Sequence, residues 1–330
     1  MQGDRAVGIR GSLRAFAVAT ALAALLPASS LACDSTCCLM LTRGTSGLMG
    51  RGGFQVDLSF RYTDMSDRLQ GSQSTDQVIR PKVLLETGKL IPGYHEDREG
   101  TDSFLQLDAA WGIASATTVF ASLPVLSHRN YVIGHGGLQT AYDVRGIGDL
   151  VIGARRALIR TPGRTLVASL GVQLPTGKNN VIDEYDSTIL DPTLQPGTGS
   201  GDVITALQWS TVAPGRSEIA VSGTYQINTT NGYKYRFANL AVAALTISRP
   251  VSHFTPSLQV KLFDQGHAQL AGAEVPSTGE TLVYVNAGLR YRSDDGISLY
   301  AHFLAPAYRR MNDAQLAPRF SLLIGLSKAF

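Results

Sequence analysis

After residue 32 the sequence has no long uninterrupted apolar run. No window there reaches the roughly eighteen apolar residues that a membrane-spanning helix needs, so the remainder of the chain is not predicted to cross a bilayer with helices. A strong net charge is also missing, because 29 Lys and Arg stand against 26 Asp and Glu, giving a formal charge of +3. Such a balance does not attract a polyanion, and no nucleic-acid partner is predicted.

The one long apolar run lies at the amino terminus. Three arginines precede the apolar residues 15–27, and the small residues 28–32 follow with Ser30 and Ala32 at the spacing of a cleavage site. This pattern predicts a secretory signal peptide over residues 1–32. Its removal takes away three Arg and one Asp and leaves a formal charge of +1.

The chain has only three cysteines, Cys33, Cys37 and Cys38, which fall in one predicted periplasmic segment, residues 33–51. Three interpretations stay open. The first is a disulfide from Cys33 to Cys37 or Cys38, as suits an oxidising compartment. The second is lipidation of Cys33 as the first mature residue. The third is a thiolate site for zinc, copper(I) or redox chemistry, although the sequence offers no nearby fourth ligand and no cofactor is predicted.

From residue 52 onward, apolar and polar residues alternate in a series of short segments. Phe54, Val56, Leu58 and Phe60, for example, alternate with polar residues over a length that crosses a bilayer when the strand is tilted. Alternation predicts twelve strands, with the eighth apolar on both faces so that its register is not readable. The predicted strands are 54–62, 105–113, 119–125, 147–160, 166–174, 202–211, 218–227, 237–247, 254–262, 283–291, 297–303 and 320–330.

The connections between these segments alternate in length. Every second connection is tight, as in Thr161–Arg164 and Ser293–Gly296, whereas the intervening ones are mostly long and polar, as in 63–101 and 176–201. A soluble sandwich has no reason to sort loop length in this way, but outer-membrane barrels have short periplasmic turns and long external loops. The fold class predicted for residues 52–330 is therefore all-β, a transmembrane antiparallel barrel of about twelve strands.

Aromatic residues fit this arrangement. Trp111 and Trp209, the two tryptophans of the chain, and Tyr291 fall at strand ends beside predicted periplasmic turns, where an interfacial girdle is expected. The free carboxy-terminal Phe330 resembles the closing signal of bacterial outer-membrane barrels, with Lys328 in place of the usual apolar residue two positions earlier. A lysine there can still raise its ammonium to the interface.

Parity along the strands also predicts which side chains face the lumen. Many are small, such as Ser169, Gly171, Ser321 and Gly325, which favours a narrow passage. The larger ones are expected to pair with one another and to line or constrict the path, and their mixed signs argue against strong ion selectivity. These lumen candidates are Arg61, Gln106, Asp108, Asp149, Gln173, Gln208, Glu218, Gln226, Lys261, Asn286, Arg290 and His302.

Two glycine-rich stretches carry a family resemblance. Leu170–Gly177 and Gly197–Asp202, together with Tyr300–Tyr308 around Pro306, resemble the outer-membrane transporter-like family named for the meta-pathway of phenol degradation, across residues 53–330. The resemblance implies an outer-membrane barrel that passes small, often hydrophobic or aromatic, compounds. It carries over no individual functional residue.

The same stretches do not form other known sites. Gly171–Lys178 has the wrong glycine spacing for a phosphate loop, and Gly197–Gly201 precedes a strand and not a helix. Turn and rim geometry is the better interpretation. The acidic residues of the intervening loop lack the spacing of a calcium loop, so a solvated surface is expected there; they are Asp183, Glu184, Asp186 and Asp191.

No catalytic triad is recognisable, and the chain is not predicted to be an enzyme. His302 points inward by parity, away from the lipid-facing wall where a lipid hydrolase would place its serine and histidine. The favoured function is passive passage of a small solute, with outer-membrane lipid and the barrel-assembly machinery as partners. The alternative is an envelope protein whose Cys-bearing segment docks a redox or metal-handling partner.

Overall fold

A computed structural model describes residues 47–330, which form one closed antiparallel barrel of twelve strands. No helix in the described residues is long and apolar enough to cross a bilayer. The predicted twelve-stranded barrel is confirmed. Its strands are β1 (Phe54–Met65), β2 (Lys89–Ala114), β3 (Thr117–His135), β4 (Leu150–Thr161), β5 (Arg164–Leu174), β6 (Asp202–Val212), β7 (Glu218–Ile227), β8 (Leu240–Ser248), β9 (Phe254–Gln265), β10 (Glu280–Arg292), β11 (Ile297–Met311) and β12 (Phe320–Ala329).

The first and last strands close the barrel. β1 pairs with β12 in an antiparallel register that runs from Gln55 opposite Ala329 to Asp64 opposite Phe320. Beyond this ladder, the backbone N–H of Phe330 donates to the carbonyl of Phe54 at 2.8 Å. Every barrel strand therefore has a partner on both sides, and no hydrogen-bonding edge is left in contact with lipid.

The barrel has an apolar outer face. On β1 and β12, Leu58 and Ile324 are 42 % and 55 % exposed, whereas the intervening Ser59 is buried on the inner face. Aromatic rings lie at both ends of this face: Phe54 is 6.1 Å from Phe330 near the tight turns, and Phe303 and Phe320 are 6.0 Å apart near the long loops. An apolar belt between two aromatic girdles is the surface of a membrane-spanning barrel, and the chain is an outer-membrane protein.

The structure also supplies the register of β8, which the sequence leaves open. Leu240, Val242 and Ala244 point into the barrel, and Leu245 and Ile247 face outward. Hence the interior is not uniformly polar. An apolar cluster fills one side of the lumen, contributed by residues of five strands together with Leu69 and Ala317 from the loops; the strand residues are Leu240, Val242, Phe263, Leu282, Tyr284, Tyr300, Leu304, Met311 and Leu323.

The two rims differ as loop length predicts. Five tight turns, such as Pro162–Gly163 between β4 and β5, lie on the periplasmic rim. On the opposite rim β2 and β3 extend far beyond the barrel, with 26 and 19 residues. The external loops add eight short strands: Asp67–Gln70, Gln73–Ser74, Ile79–Leu84, Leu138–Gly146, Tyr235–Arg236, Gln269–Leu270, Ala273–Glu274 and Ala314–Ala317. One 3₁₀ turn, Pro192–Leu194, lies in an external loop, and another, Pro214–Arg216, lies in a periplasmic turn.

Residues 47–53 lie across the periplasmic mouth of the barrel. The backbone N–H of Met49 donates to Thr118 Oγ1 at 2.8 Å, and Arg155 donates to the carbonyl of Gly47 at 3.3 Å. The carbonyl of Gly50 packs so closely on Gly112 that any β-carbon at position 112 would collide with it.

The predicted signal peptide and Cys33, Cys37 and Cys38 lie outside the described residues.

Candidate functional site

The candidate site is the lumen together with the external loops that cover it. All twelve predicted lumen candidates have their side chains on the inner side of the wall. Eight are buried and four are half-buried, the latter being Arg61, Gln208, Glu218 and Arg290. Their part in lining a solute path stays a prediction, but their contacts are given by the structure.

One group of these side chains pairs on β2 and β3. Gln106 Nε2 donates to Asp108 Oδ1 at 2.8 Å and to Ser122 Oγ at 2.8 Å. Ser122 Oγ also donates to Asp108. Since every member is buried and bonded to a neighbour, this trio is a fixed part of the wall and not a set of loose side chains.

A second group spans β8 to β11. Gln259 Nε2 donates to Thr246 Oγ1 at 2.8 Å, Asn286 Nδ2 donates to Gln259 Oε1 at 3.2 Å, and His302 Nδ1 lies 3.2 Å from Asn286 Oδ1. The hydrogen-bonding side chains thus form a chain across four neighbouring strands. The prediction that large inward polar groups pair with one another is confirmed here.

Tyr300 lies along the inner wall between these groups and passes over the intervening strand β12. Its hydroxyl donates to Asp57 Oδ1 at 2.7 Å, joining β11 to β1. The ring lies directly over Gly325 of β12, where any β-carbon would overlap it. We call this set of wall contacts the polar belt: Asp57, Gln106, Asp108, Ser122, Thr246, Gln259, Asn286, Tyr300 and His302.

The glycine-rich stretches fasten the long loop 175–201 to the barrel. Asp149 accepts backbone N–H groups from Gly177 and Thr198, each at 2.8 Å, and Asp202 accepts the N–H of Thr229 at 2.8 Å. Gly177 and Gly197 touch, since a β-carbon on Gly177 would lie 2.7 Å from the Gly197 Cα. Turn and rim geometry therefore accounts for both stretches, and the backbone contact requires glycine at both positions.

The external loops pack into one layer over the lumen, which we call the cap. Two apolar clusters hold it together. One joins the hairpin of Ile79–Leu84 to the loops after β5, β7 and β9, through Val83, Leu85, Ile189, Tyr235, Ala268, Leu270 and Val275. The other joins β3 and the strand Leu138–Gly146 to the loop 175–201, through Ile133, Tyr142, Val144, Leu190 and Leu194. The first external loop therefore packs in the cap.

Buried ion pairs complete the cap. Lys82 Nζ lies 2.6 Å from Asp183 and 3.1 Å from Asp186, and the side chains of Lys82 and Asp183 are each only 3 % exposed. Arg80 pairs with Asp97 at 3.0 Å. The expectation of a solvated acidic surface at 183–191 is wrong for Asp183 and Asp186, because both contact Lys82 of the first external loop, whereas Glu184 is exposed as expected. Asp191, also buried, accepts the N–H of Thr193 at 2.9 Å.

A histidine lies beside these carboxylates. The ring of His135 stacks on Tyr185 at 4.0 Å, and its Nε2 is 3.2 Å from the hydroxyl of Tyr142, which donates to Asp183. Burial lowers the pKa of His135, and the nearby His95 lowers it further. Burial, together with the hydrogen bond to Asp186, raises the pKa of Tyr94 to about 12. The cap therefore contains an imidazole whose pKa lies below its ordinary value.

The lumen holds a cavity on each side of the polar belt. The outer cavity, of about 150 Å³, lies between the barrel wall and the cap. The inner cavity, of about 360 Å³, lies above residues 47–49 at the periplasmic mouth and is lined by Asp57, Asp108, Arg155, Arg290 and Arg292. A solute that crosses the barrel must pass the cap, the belt and the amino-terminal segment.

Two features of this site are absent from the lumen residues named in the sequence analysis. The inward apolar side chains Phe263, Leu282, Leu304 and Leu323 follow the same parity as the polar candidates, and hence parity was a sufficient signal for them. The pairing of Lys82 with Asp183 joins residues 101 positions apart, and local sequence carries no signal for it.

The fold is similar to that of a solved outer-membrane channel. The COG4313 outer membrane channel from Pseudomonas putida F1 is similar with a TM-score of 0.57 and 12 % identity, over 86 % of this chain and 97 % of that one. The β domain of the Bordetella autotransporter BrkA gives a TM-score of 0.46 at 12 % identity, over 84 % and 100 % of the two chains. The translocator domain of NalP from Neisseria meningitidis gives 0.46 at 13 % identity, over 89 % and 95 %.

Sequence comparison identifies the family. No curated protein sequence matches the chain significantly. The model of the family described as "Putative MetA-pathway of phenol degradation" matches residues 66–309, which include both glycine-rich stretches and most of the barrel. The chain belongs to this family.

Proposed function

We propose that the barrel passes a small solute, apolar or aromatic in character, across the outer membrane without covalent chemistry. The observation that carries this proposal is the pair of cavities, about 150 and 360 Å³, on the two sides of the polar belt inside one closed barrel. A barrel filled only by its own side chains would leave no such space. The apolar cluster beside the outer cavity suits a solute with an apolar part.

We infer that passage requires movement, because cap residues cover the outer cavity. The wall is held by continuous strand pairing, whereas the cap is held by side chains and by short strand pairs between separate loops. Loops of this kind open at lower free energy than a closed sheet. The cap is therefore the gate in this proposal, and the belt sets the size of solute that follows.

The alternative function as a lipid hydrolase has less support. His302 lies on the inner face, where Asn286 and the ring of Tyr300 are its neighbours. A hydrolase acting on membrane lipid needs its serine and histidine in reach of the bilayer. The geometry of His302 fits a hydrogen-bonding role in the belt.

Uptake into proteoliposomes tests the proposal. The panel comprises aromatic acids, hydrocarbons and sugars, each compared with protein-free liposomes. Deleting residues 66–98 would remove part of β2 and of the cap interior, so the sharper variant is Lys82→Ala, which loosens the cap and leaves the barrel intact. We expect faster uptake of small apolar solutes in Lys82→Ala than in the unmodified barrel.

Lys89→Ala is the matched control, because Lys89 lies exposed in the same hairpin. Uptake equal to that of protein-free liposomes for every solute, in both the unmodified barrel and Lys82→Ala, would refute passage. The interaction-protein alternative would then gain support if substitution of Cys33, Cys37 and Cys38 abolished capture of a periplasmic partner.

Planar-bilayer recording gives an independent measure. The narrow belt and the mixed charges of the twelve lumen candidates predict a small, weakly selective conductance. Tyr300→Ala removes the ring that bridges β11 and β1 and should enlarge the conductance. A large and stable pore in the unmodified barrel would contradict the proposed path.

A further inference from the structure

A positively charged residue lies on the lipid-facing side of the wall. Arg156 of β4 points outward and is exposed, whereas Arg155 points inward, with its guanidinium 4.6 Å from the ring centre of Phe120. On the same outer face of β4, Ile152 and Ile159 are exposed on either side of Arg156. A charged side chain on the lipid side of a barrel is unfavourable unless it reaches the interface. Arg156 therefore requires a polar partner at the edge of the bilayer.

The two tryptophans of the chain mark the depth of Arg156 in the membrane. Trp111 lies on the same row of paired strands as Ala154, and Trp209 lies on the same row as Ile159. Arg156 lies between these two rows. Both tryptophans are exposed on the outer face, and such side chains favour the level of the lipid headgroups. Arg156 is therefore at headgroup depth on the periplasmic side of the membrane.

The wall around Arg156 leaves room for a headgroup. The cross-strand partners of Arg156 are small on both sides, Thr117 on β3 and Ala168 on β5. Arg164, the first residue of β5, follows the outward parity of Ala168 and is exposed at the turn between β4 and β5. Arg156 and Arg164 therefore flank one stretch of the outer wall. Within residues 47–330 neither of their side chains has a carboxylate partner.

The periplasmic rim as a whole is rich in arginine. The exposed arginines of its turns and of the amino-terminal segment are Arg51, Arg160, Arg164, Arg216, Arg249 and Arg292. In the part of the chain that the structure describes, the exposed side-chain carboxylates of this rim are Asp294 and Asp295, both in the turn between β10 and β11. That turn lies on the opposite side of the barrel from the turn between β4 and β5. The carboxylates of the rim are therefore remote from Arg156 and Arg164.

Guanidinium groups bind phosphate oxygens through paired N–H donors and stay charged throughout the physiological pH range. A phosphate carried by a lipid lies at the depth that the tryptophans mark, whereas a free phosphate ion stays in the aqueous phase. We propose that Arg156 and Arg164 bind the phosphate of an anionic phospholipid in the periplasmic leaflet of the outer membrane. The acyl chains of this lipid lie against the apolar wall, and its headgroup lies toward the turn between β4 and β5. The lipid site is independent of solute passage.

Quenching of tryptophan fluorescence tests the site, because Trp111 and Trp209 flank Arg156 and the chain has only these two tryptophans. The purified barrel is reconstituted in phosphatidylcholine vesicles that contain increasing fractions of brominated phosphatidylglycerol or of brominated phosphatidylcholine. We expect phosphatidylglycerol to bind beside the tryptophans about three- to fivefold more strongly than phosphatidylcholine. High salt should weaken this preference. Equal quenching by the two brominated lipids would overturn the proposal.

Variants locate the site on the wall. Arg156→Gln removes the charge and should abolish most of the lipid preference, whereas Arg156→Lys keeps the charge and should retain part of it. Arg249→Gln is the matched control, because Arg249 is an exposed arginine of the same rim in the turn between β8 and β9. Heat-modifiable gel migration confirms that each variant is folded, and Arg164→Gln replaces Arg156→Gln if that barrel does not form. A preference that is unchanged in the folded charge-removing variant would refute the site.

Two further measurements separate the lipid from other anionic partners. Inorganic phosphate is added to the vesicles at constant ionic strength, and loss of the lipid preference at low phosphate concentration would assign the arginines to a free anion and overturn the lipid site. Sedimentation with isolated peptidoglycan tests a cell-wall partner. Retention that Arg156→Gln abolishes, without a lipid preference in vesicles, would make the cell wall the partner and would also overturn the lipid site.

Discussion

The wall and the cap of this protein are stabilised in different ways. In the wall, polar side chains pair with neighbours on adjacent strands, as Gln106 does with Ser122, 16 positions away. In the cap, the decisive contacts join distant loops, as Lys82 does with Asp183, 101 positions away. The wall also has continuous backbone pairing between neighbouring strands, whereas much of the cap depends on side chains.

Because of this difference, the stability of the barrel and the movement of its external loops depend on different contacts. Opening the wall would break backbone ladders in a medium that offers no replacement partners. Opening the cap exposes apolar and charged groups to water, which can solvate the charges. We therefore expect perturbations of the cap to change loop opening and conductance, and the barrel to survive them. Four measurements test this comparison.

The largest effect is expected from Lys82→Ala. It leaves Asp183 buried without its cation, and breaking such a pair typically costs about 3–5 kcal/mol. The cap should open, with hydrogen exchange increased at 176–201 and unchanged in the barrel strands. The double variant Lys82→Ala/Asp183→Asn should recover part of the protection, and a loss of barrel folding in the single variant would contradict the separation of wall and cap.

A smaller effect is expected from Gly197→Ala. The new methyl group would lie about 2.5 Å from the Gly177 carbonyl carbon, and overpacking of this kind costs roughly 1–3 kcal/mol. Exchange should increase near Gly177 and Thr198. Gly223→Ala is the control, because no atom lies within 4 Å of the position a β-carbon would take. Equal exchange in the two variants would show that the Gly177–Gly197 contact is not needed.

Mild acid should also loosen the cap. His135 has a lowered pKa in the docked cap, so the open cap binds more protons, and stability falls as the pH drops below about 6.5. Burial raises the pKa of Asp186, but hydrogen bonds from Thr188, Tyr94 and Lys82 outweigh burial and lower this pKa to about 2. Asp186 therefore affects the stability of the cap only below about pH 4. The other groups facing His135 are His95, Lys82, Asp183, Tyr94, Tyr142 and Tyr185.

Loop exchange measured between pH 7.5 and 5 checks this expectation. Protection factors at 176–201, which correct for the slower intrinsic amide exchange at lower pH, should decrease as the pH falls in the unmodified protein. His135→Gln removes the titrating ring and should flatten the dependence. If the pH dependence persists unchanged in His135→Gln, a group other than His135 causes it.

The smallest effect is expected at the periplasmic rim. Lys328 Nζ donates to the carbonyl of Asp295 and lies 5.9 Å from the ring centre of Phe330, so its ammonium reaches the interface as expected from the sequence. Lys328→Ala removes one exposed contact and should lower the free energy of unfolding by at most about 1 kcal/mol. Urea unfolding in detergent measures this free energy. A decrease of more than about 2 kcal/mol would show that Lys328 contributes to closure of the barrel.

The sequence predicts the wall because strand periodicity is local. Leu58 and Ser59 lie on opposite faces of the strand because successive side chains of any strand alternate. The tight turns at Pro162–Gly163 and 293–296 contain residues that such turns favour. β8 is the exception, since apolar residues on both faces leave parity undefined until Leu240 is seen inside.

The cap could not be predicted in this way. The position of Asp183 depends on Lys82, and that of Ile189 on Val83, so each is fixed by a loop far away in the chain. Composition alone suggested a solvated acidic loop, because acidic residues are exposed unless a cation meets them. The glycine-rich stretches identified the place where the loop meets the barrel, but not Asp149 as the residue that holds it.

The pairing of β1 with β12 has a consequence for how the barrel is made. Gln55 and Ala329 are partners although nearly the whole chain separates them, and contacts of such high sequence separation form slowly. The seam therefore forms after the last residues have been exported, and until then Phe54–Met65 and every completed hairpin expose an unpaired edge. A barrel without Phe320–Ala329 would keep two unpaired edges and no closed interior, so the final strand is required for closure of the whole barrel.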